Sequence, residues 1–212
     1  MAFSIFPRTV YKIKSKISGE VVVKEQFGKY TLHVQDLIQS GGIIKEIWGK
    51  AFQRVQGEFS ILNCLVLGLG GGTVVQLIKA CSPKAKIVSV EIDPEIIKIG
   101  KKFFGLGEIR NLEVVNADAI KWVADYDESY HRSRFDLVLV DLYIGGKFPK
   151  EATTNEFLKR LKKLLSKNGK VIFNRLISPG EDLAGFEEKL KKHFSFLEMI
   201  KTHTNLFFLA RS

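Results

Sequence analysis

A chain of 212 residues is long enough for one domain with a small appendage, and such a domain buries a core without a disulfide framework or a structural metal. Its two cysteines supply neither of these and point to a reducing, cytoplasmic setting. Apolar runs are far shorter than a membrane span, and the opening MAFSIFPRTVYKIK breaks at Pro7 and Arg8 before a signal-type core develops, so a soluble, unexported chain with no membrane partner is expected.

A net charge of +10, from 33 basic against 23 acidic side chains, raises a nucleic-acid partner. The distribution does not favour one. In NEFLKRLKKLL (155–165) the basic residues alternate with Phe157, Leu158, Leu161, Leu164 and Leu165, the pattern of an amphipathic helix with a solvated outer face. Lys98, Lys101 and Lys102 repeat it on one helix, and Lys189, Lys191 and Lys192 on another. Such a field also repels a polycation unless local acids counter it.

In chain order, residues 1–60 read as a small β-rich extension. Alternation in 20–23 and 30–34 around Phe27-Gly28 suggests a β-hairpin, followed by 36–40, by Gly41-Gly42, and by a helical pattern at Ile43, Ile44, Ile47, Ala51 and Phe52. From residue 61 onward the pattern becomes regular and a nucleoside-binding domain over 61–212 is expected. Strands are predicted at 63–68, 86–91, 112–116, 135–140 and 169–174, with helices at 72–81, 94–104, 118–125, 153–165 and 181–193 between and after them. Two last strands, 195–201 and 204–210, are close enough to form an antiparallel hairpin. Pro94 suits a first helical turn and Asn168-Gly169 a helix stop. The alternation of strands and helices predicts an α/β fold, a doubly wound and mostly parallel seven-stranded sheet covered on both faces.

The organising stretch is ILNCLVLGLGGGTVVQLIKACSPKAKIVSVEIDP (61–94), a strand, a glycine cluster, a helix and a second strand that ends in acid. Gly68, Gly70, Gly71 and Gly72 let the turn take positive φ and let the backbone approach a ligand. Glu91, twenty-one residues after Gly70, sits where a carboxylate can accept from ribose hydroxyls. A dinucleotide motif would place its third glycine at Thr73, which disfavours that ligand class without excluding it. Ligands of open α/β sheets lie beyond the carboxyl ends of the strands. Gly68, Glu91, Asp118 and Asp141 all fall there. Asp118 is equally well read as a helix cap, or as an acceptor for an adenine amino group.

At these residues the chain resembles the spermidine synthase family, the polyamine aminopropyltransferases, within the class I S-adenosylmethionine-dependent methyltransferase fold. LVLGLGGGT is similar to the family's glycine motif, VSVEIDPE to its ribose-binding strand, NADAIKWV to its adenine-binding segment, and FDLVLVDLYIGG to its catalytic strand and loop. GEVVVKEQFGKYTLHVQDLIQSG resembles its N-terminal strands. The resemblance implies nucleoside-site roles for Gln39, Glu91, Asp118, Ala119 and Asp141, and a donor that is S-adenosylmethionine or decarboxylated S-adenosylmethionine.

The chain departs from the family on the acceptor side. Where the glycine motif carries an amine-binding aspartate this chain has Gly70, and where the catalytic loop carries a second aspartate it has Ile144. A tyrosine, histidine and glutamate cluster is replaced by Trp48, Gly49 and Lys50. Polyamine recognition needs carboxylates against ammonium groups, so ordinary spermidine synthesis is not expected. The leading expectation is a spermidine synthase-like transferase moving a methyl or alkyl group to an unnamed acceptor, with Asp141 orienting or deprotonating that acceptor and Tyr143 lining the pocket or simply packing. Aminopropyl transfer with an altered amine site and a non-catalytic nucleoside-binding protein are the alternatives. His33, His131, His193 and His203 show no ligand spacing and no metal is expected; a homodimer stays open.

Overall fold

The computed structural model describes residues 6–35, 37–55, 63–126, 134–144 and 146–212. Asp36, the boundary at residues 60 and 61, Leu62, His131 and Gly145 lie outside the described residues. Arg8–Ser15 (β1), Gly19–Gln26 (β2), Lys29–Val34 (β3) and Leu37–Ser40 (β4) form an antiparallel sheet in the order β1-β2-β3-β4, followed by helix α1, Gly42–Gln53. The extension is therefore a four-stranded sheet and not a single hairpin. β1 carries Arg8, Lys12 and Lys14 on an exposed face, with only Tyr11, Ile13 and Ser15 turned inward, so its apolar signal is thin.

The second sheet takes Asn63–Leu67 (β5), Lys86–Glu91 (β6), Leu112–Asn116 (β7), Phe135–Val140 (β8), Leu165–Leu176 (β9), Phe196–Lys201 (β10) and Asn205–Arg211 (β11). Its order is β10-β11-β9-β8-β5-β6-β7, parallel from β9 to β7, with β11 antiparallel to both β9 and β10. Five helices connect these strands: Thr73–Cys81 (α2), Pro94–Phe103 (α3), Ala119–Asp125 (α4), Asn155–Leu164 (α5) and Leu183–His193 (α6). The seven strands and the terminal hairpin are as the sequence predicts. Several ends move: Gly72 and Asp118 cap α2 and α4 from outside, and α5 starts at Asn155 after a short 3-10 turn over Lys150–Thr153. β9 begins at Leu165 and not at 169, because Leu165 already pairs with Phe135 before a register shift brings Lys170 opposite Leu137.

Period-two alternation divides the strand side chains between two cores. Leu65, Leu67, Val138, Val140 and Phe173 face α4, α5 and α6, whereas Cys64, Val66, Leu137, Leu139 and Ile172 face α1 and α2. Helix α3 has a second neighbour. Its Ile96 and Ile99 bury Val21, Val23, Leu32 and Val34 of the front sheet. At about 1.5–3 kcal/mol per buried aliphatic side chain, that gain is available to the small sheet only while it lies on α3. Asp93 fastens the joint: Oδ1 accepts from the Glu95 amide at 2.9 Å as the α3 cap, and Oδ2 accepts from Ser15 Oγ at the end of β1. Asp93→Ala removes both and is expected to cost about 1–3 kcal/mol in a thermal melt followed by circular dichroism.

Cys64 and Cys81 are not joined in a disulfide. Among the described residues no helix is long and apolar enough to cross a membrane. No described group of three or more His, Cys, Asp or Glu side chains is placed to hold a metal ion.

Candidate active site

Strand order reverses direction between β5 and β8, and this switch point opens a crevice at the carboxyl edge of the sheet. A cavity of about 720 Å³ occupies it. All the sequence candidates but Gly72 line it: Gln39, Gly68, Gly70, Glu91, Asp118, Ala119 and Asp141. Along the edge the ends run Asp118 (after β7), Glu91 (β6), Gly68 (β5), Asp141 (β8), Asn174 (β9) and Asn205 (β11). At about 4.8 Å per strand those five steps span roughly 24 Å, long enough for two ligands end to end.

The glycine turn is packed against its surroundings. Gly68 has φ 92°, and a Cβ there would stand 2.2 Å from the carbonyl oxygen of Asp141. Gly72, at φ 89°, caps α2 and lies against Leu106 rather than in the cavity. The amides of the turn are taken up by the protein itself. Leu69 and Gly70 donate to Glu91 Oε2 at 3.0 and 3.3 Å, and Gly71 donates to Ser40 Oγ at 2.7 Å. Ser40 comes from β4, and Gly41 N donates to Thr73 Oγ1 at 3.1 Å, so the front sheet holds the turn from outside.

Glu91 thus closes the turn as well as facing the cavity. Its Oε1 accepts from the Asp93 amide at 3.0 Å, which leaves that oxygen one further lone-pair site. Burial raises its pKa, against the three backbone hydrogen bonds that favour the charged form. Asp118 takes the cap role weighed for it, with Oδ1 accepting from Ile120 N at 2.8 Å and Lys121 N at 3.3 Å, and it also lines the cavity. Ala119, the first residue of α4, is buried beside it.

Asp141 forms the floor at the other half. Its Oδ2 accepts from Trp48 Nε1 at 3.2 Å and its Oδ1 from Asn174 Nδ2 at 2.8 Å. Asn174 Oδ1 in turn accepts from Asn205 Nδ2 at 2.7 Å. Burial pushes the Asp141 pKa up to about 6, and the two hydrogen bonds oppose the rise. Tyr143 lines the cavity but its hydroxyl is committed, donating to Asn174 O at 3.2 Å and accepting from Leu176 N at 2.7 Å. Ser40, Trp48, Asn174 and Asn205 are among the lining polar residues that the sequence reading left unassigned. Trp48 stood out there only as a departure.

A family model described as the spermine/spermidine synthase domain matches residues 55–198. A polyamine aminopropyltransferase of Vibrio vulnificus is 31% identical over 110 residues, covering 52% of this chain and 36% of that protein. The eEF1A lysine and N-terminal methyltransferase of Bos taurus is 30% identical over 119 residues, covering 53% and 17%. The chain spans well under half the length of these curated relatives. A probable spermidine synthase from Corynebacterium glutamicum superposes with a TM-score of 0.78 at 15% identity, covering 98% of this chain and 81% of that one. Human methyltransferase-like protein 13, solved in complex with SAH, gives 0.66 at 22% identity, covering 79% and 81%. The sheet, its switch-point crevice and the match over most of the sequence agree, and the chain belongs to the spermine/spermidine synthase domain family.

Proposed function

We propose that the crevice binds an adenosyl sulfonium, S-adenosylmethionine or its decarboxylated form, and that the chain is a transferase moving a methyl or alkyl group to a small acceptor. The observation that carries this reading is the charge of the cavity. In a protein of net charge +10 it is lined by Glu91, Asp118, Asp141 and Glu151, with Lys121 as the single basic side chain among the described residues. A locally acidic crevice suits a cationic donor. The glycine turn argues in the same direction, because three of its amides already donate to Glu91 and Ser40 and are not free to cradle a pyrophosphate.

In this reading Glu91 accepts from the ribose, Asp118 from the adenine amino group, and Gln39, Gly68, Gly70 and Ala119 shape the walls around the nucleoside. Gly72 acts indirectly, by setting the turn. When bound, a sulfonium donor supplies an electrophilic carbon attached to a neutral thioether leaving group, so no acid is needed at the leaving side. The chain's own task is to hold the acceptor in line and to take the proton it sheds. In this reading Asp141 does both.

Titration calorimetry with S-adenosylmethionine, its decarboxylated form, methylthioadenosine and NAD tests the proposal. S-adenosylmethionine is expected to bind, and Glu91→Ala to weaken it by about 1–3 kcal/mol through loss of charge-assisted hydrogen bonds. Tighter binding of the decarboxylated form would identify aminopropyl transfer. A preference for NAD, or unchanged affinity in a folded Glu91→Ala variant, would overturn the assignment.

A further inference from the structure

The half of the crevice beyond Asp141 has a chemistry that the donor does not explain. We infer that it is a chamber for an acceptor with an uncharged apolar body and one polar end, and that it excludes diamines and polyamines. The inference rests on the donor occupying the half over β5, β6 and β7.

The apolar lining from β4, the start of α1 and the segment after β8 consists of Leu37, Ile38, Ile43, Ile44, Ile47 and Ile144. These elements meet the Asp141 end of the crevice, α1 through the bond from Trp48 to Asp141 and β4 through the contact of Leu37 with the loop after β8. Leu37, Ile38, Ile43 and Ile144 are 42%, 38%, 51% and 48% exposed. These are four of the eleven exposed large apolar side chains among the described residues, and scattered surface residues would not converge on one cavity. Their placement is fixed. Ile144 and Lys147 form an antiparallel bridge with two 3.1 Å hydrogen bonds, and a Cβ on Gly146 would come within 2.8 Å of Leu37 Cδ1, so the loop after β8 sits against β4.

The polar groups of the chamber are engaged with one another. Trp48 and Asn174 donate to the two oxygens of Asp141, Asn205 donates to Asn174, and the Tyr143 hydroxyl is held between Asn174 O and Leu176 N. Glu151 is exposed at the rim. Among the described residues Asp141 is therefore the one carboxylate that meets the ligand at the floor. A diamine would set one ammonium near Asp141 and bring the other against isoleucine. There, among the described residues, the nearest further carboxylate of this half, Glu151, stays solvated at the rim and offsets little of the desolvation. An aliphatic or aromatic body with a single hydroxyl, thiol or neutral amine loses nothing there.

The test uses the full chain with saturating S-adenosylhomocysteine and two probes, 4-phenyl-1-butanol and putrescine, followed by calorimetry and by Trp48 emission in a Trp122→Phe background. The alcohol is expected to bind at least tenfold more tightly than putrescine. Ile144→Asp and Ile43→Asp, both at exposed positions that tolerate a carboxylate without unfolding, are expected to weaken it at least tenfold and to leave S-adenosylhomocysteine within twofold. Equal or tighter putrescine binding, or alcohol binding that ignores both variants, overturns the inference. Absence of S-adenosylhomocysteine binding overturns the donor assignment instead, and the alcohol titration repeated without it still decides the chamber.

Discussion

Asp141→Asn is expected to lower the rate of the proposed group transfer by about 10²- to 10⁴-fold, the range that a positioned general base contributes. The amide keeps the shape of the carboxylate and can still accept from one of its two neighbours, so the loss is chemical more than structural. In the wild type only the ionised form can take a proton, and burial places its pKa at about 6. The rate is therefore expected to rise with pH through about 6 and then level off, and the variant's residual rate is expected to lack that step. Stability moves in the opposite sense. A carboxyl whose folded pKa of about 6 exceeds the ordinary 3.8 binds more protons folded than unfolded between those values, so its contribution is greatest below 3.8 and is lost as pH rises through 6. Wild type minus Asp141→Asn melting temperatures should accordingly be more favourable to wild type at pH 4.5 than at pH 7.5. A pH-independent difference, or a variant with full activity, would remove Asp141 from the chemistry.

Gly68→Ala is expected to be the most damaging small substitution in the chain. The residue sits at φ 92°, where an L side chain costs about 1–3 kcal/mol, and the new methyl would stand 2.2 Å from the Asp141 carbonyl oxygen. That oxygen is backbone, fixed because Asp141 N donates to Leu67 O at 2.8 Å, so relief requires β5 and β8 to part. Strain and overpacking together amount to about 3 kcal/mol or more, or a fall of roughly 6–12 °C in Tm for a chain of this size. Gly107→Ala is the control. It has open space and no positive φ, and is expected to shift stability by less than about 0.5 kcal/mol. Equal melting temperatures for the two variants would contradict the geometry of the turn.

The parallel strands were legible because both faces are buried: NCLVL and FDLVLV read as continuous apolar runs whose ends then locate Gly68, Glu91, Asp118 and Asp141. The partners of those residues were not. Trp48 reaches Asp141 across 93 positions, Ser40 reaches Gly71 across 31, and Asn205 reaches Asn174 across 31, and no local periodicity encodes such pairs. Glu91 shows the same limit from the other side. Its position was readable, whereas its bonds to Leu69 and Gly70 follow from a loop conformation that glycines permit without specifying. The start of β9 was hidden for a different reason: helical spacing in α5 runs on to Leu164 and Leu165, and Asn168-Gly169 then resembles a stop, although the chain is already paired with Phe135.

Ser40 and Gly41 tie the front sheet to the glycine bend after β5 at one end of the crevice. The chain consequently has two grades of freedom in its first third. The turn at Phe27-Gly28 between β2 and β3 can lengthen, shorten or change sequence as surface ornament, whereas the β1–β2 turn, held to α3 through Ser15 and Asp93, and positions 39–42 pin the two layers together. Evolution of a new acceptor is then easiest at Leu37, Ile38 and Ile43, which flank positions 39–42 without bearing on them.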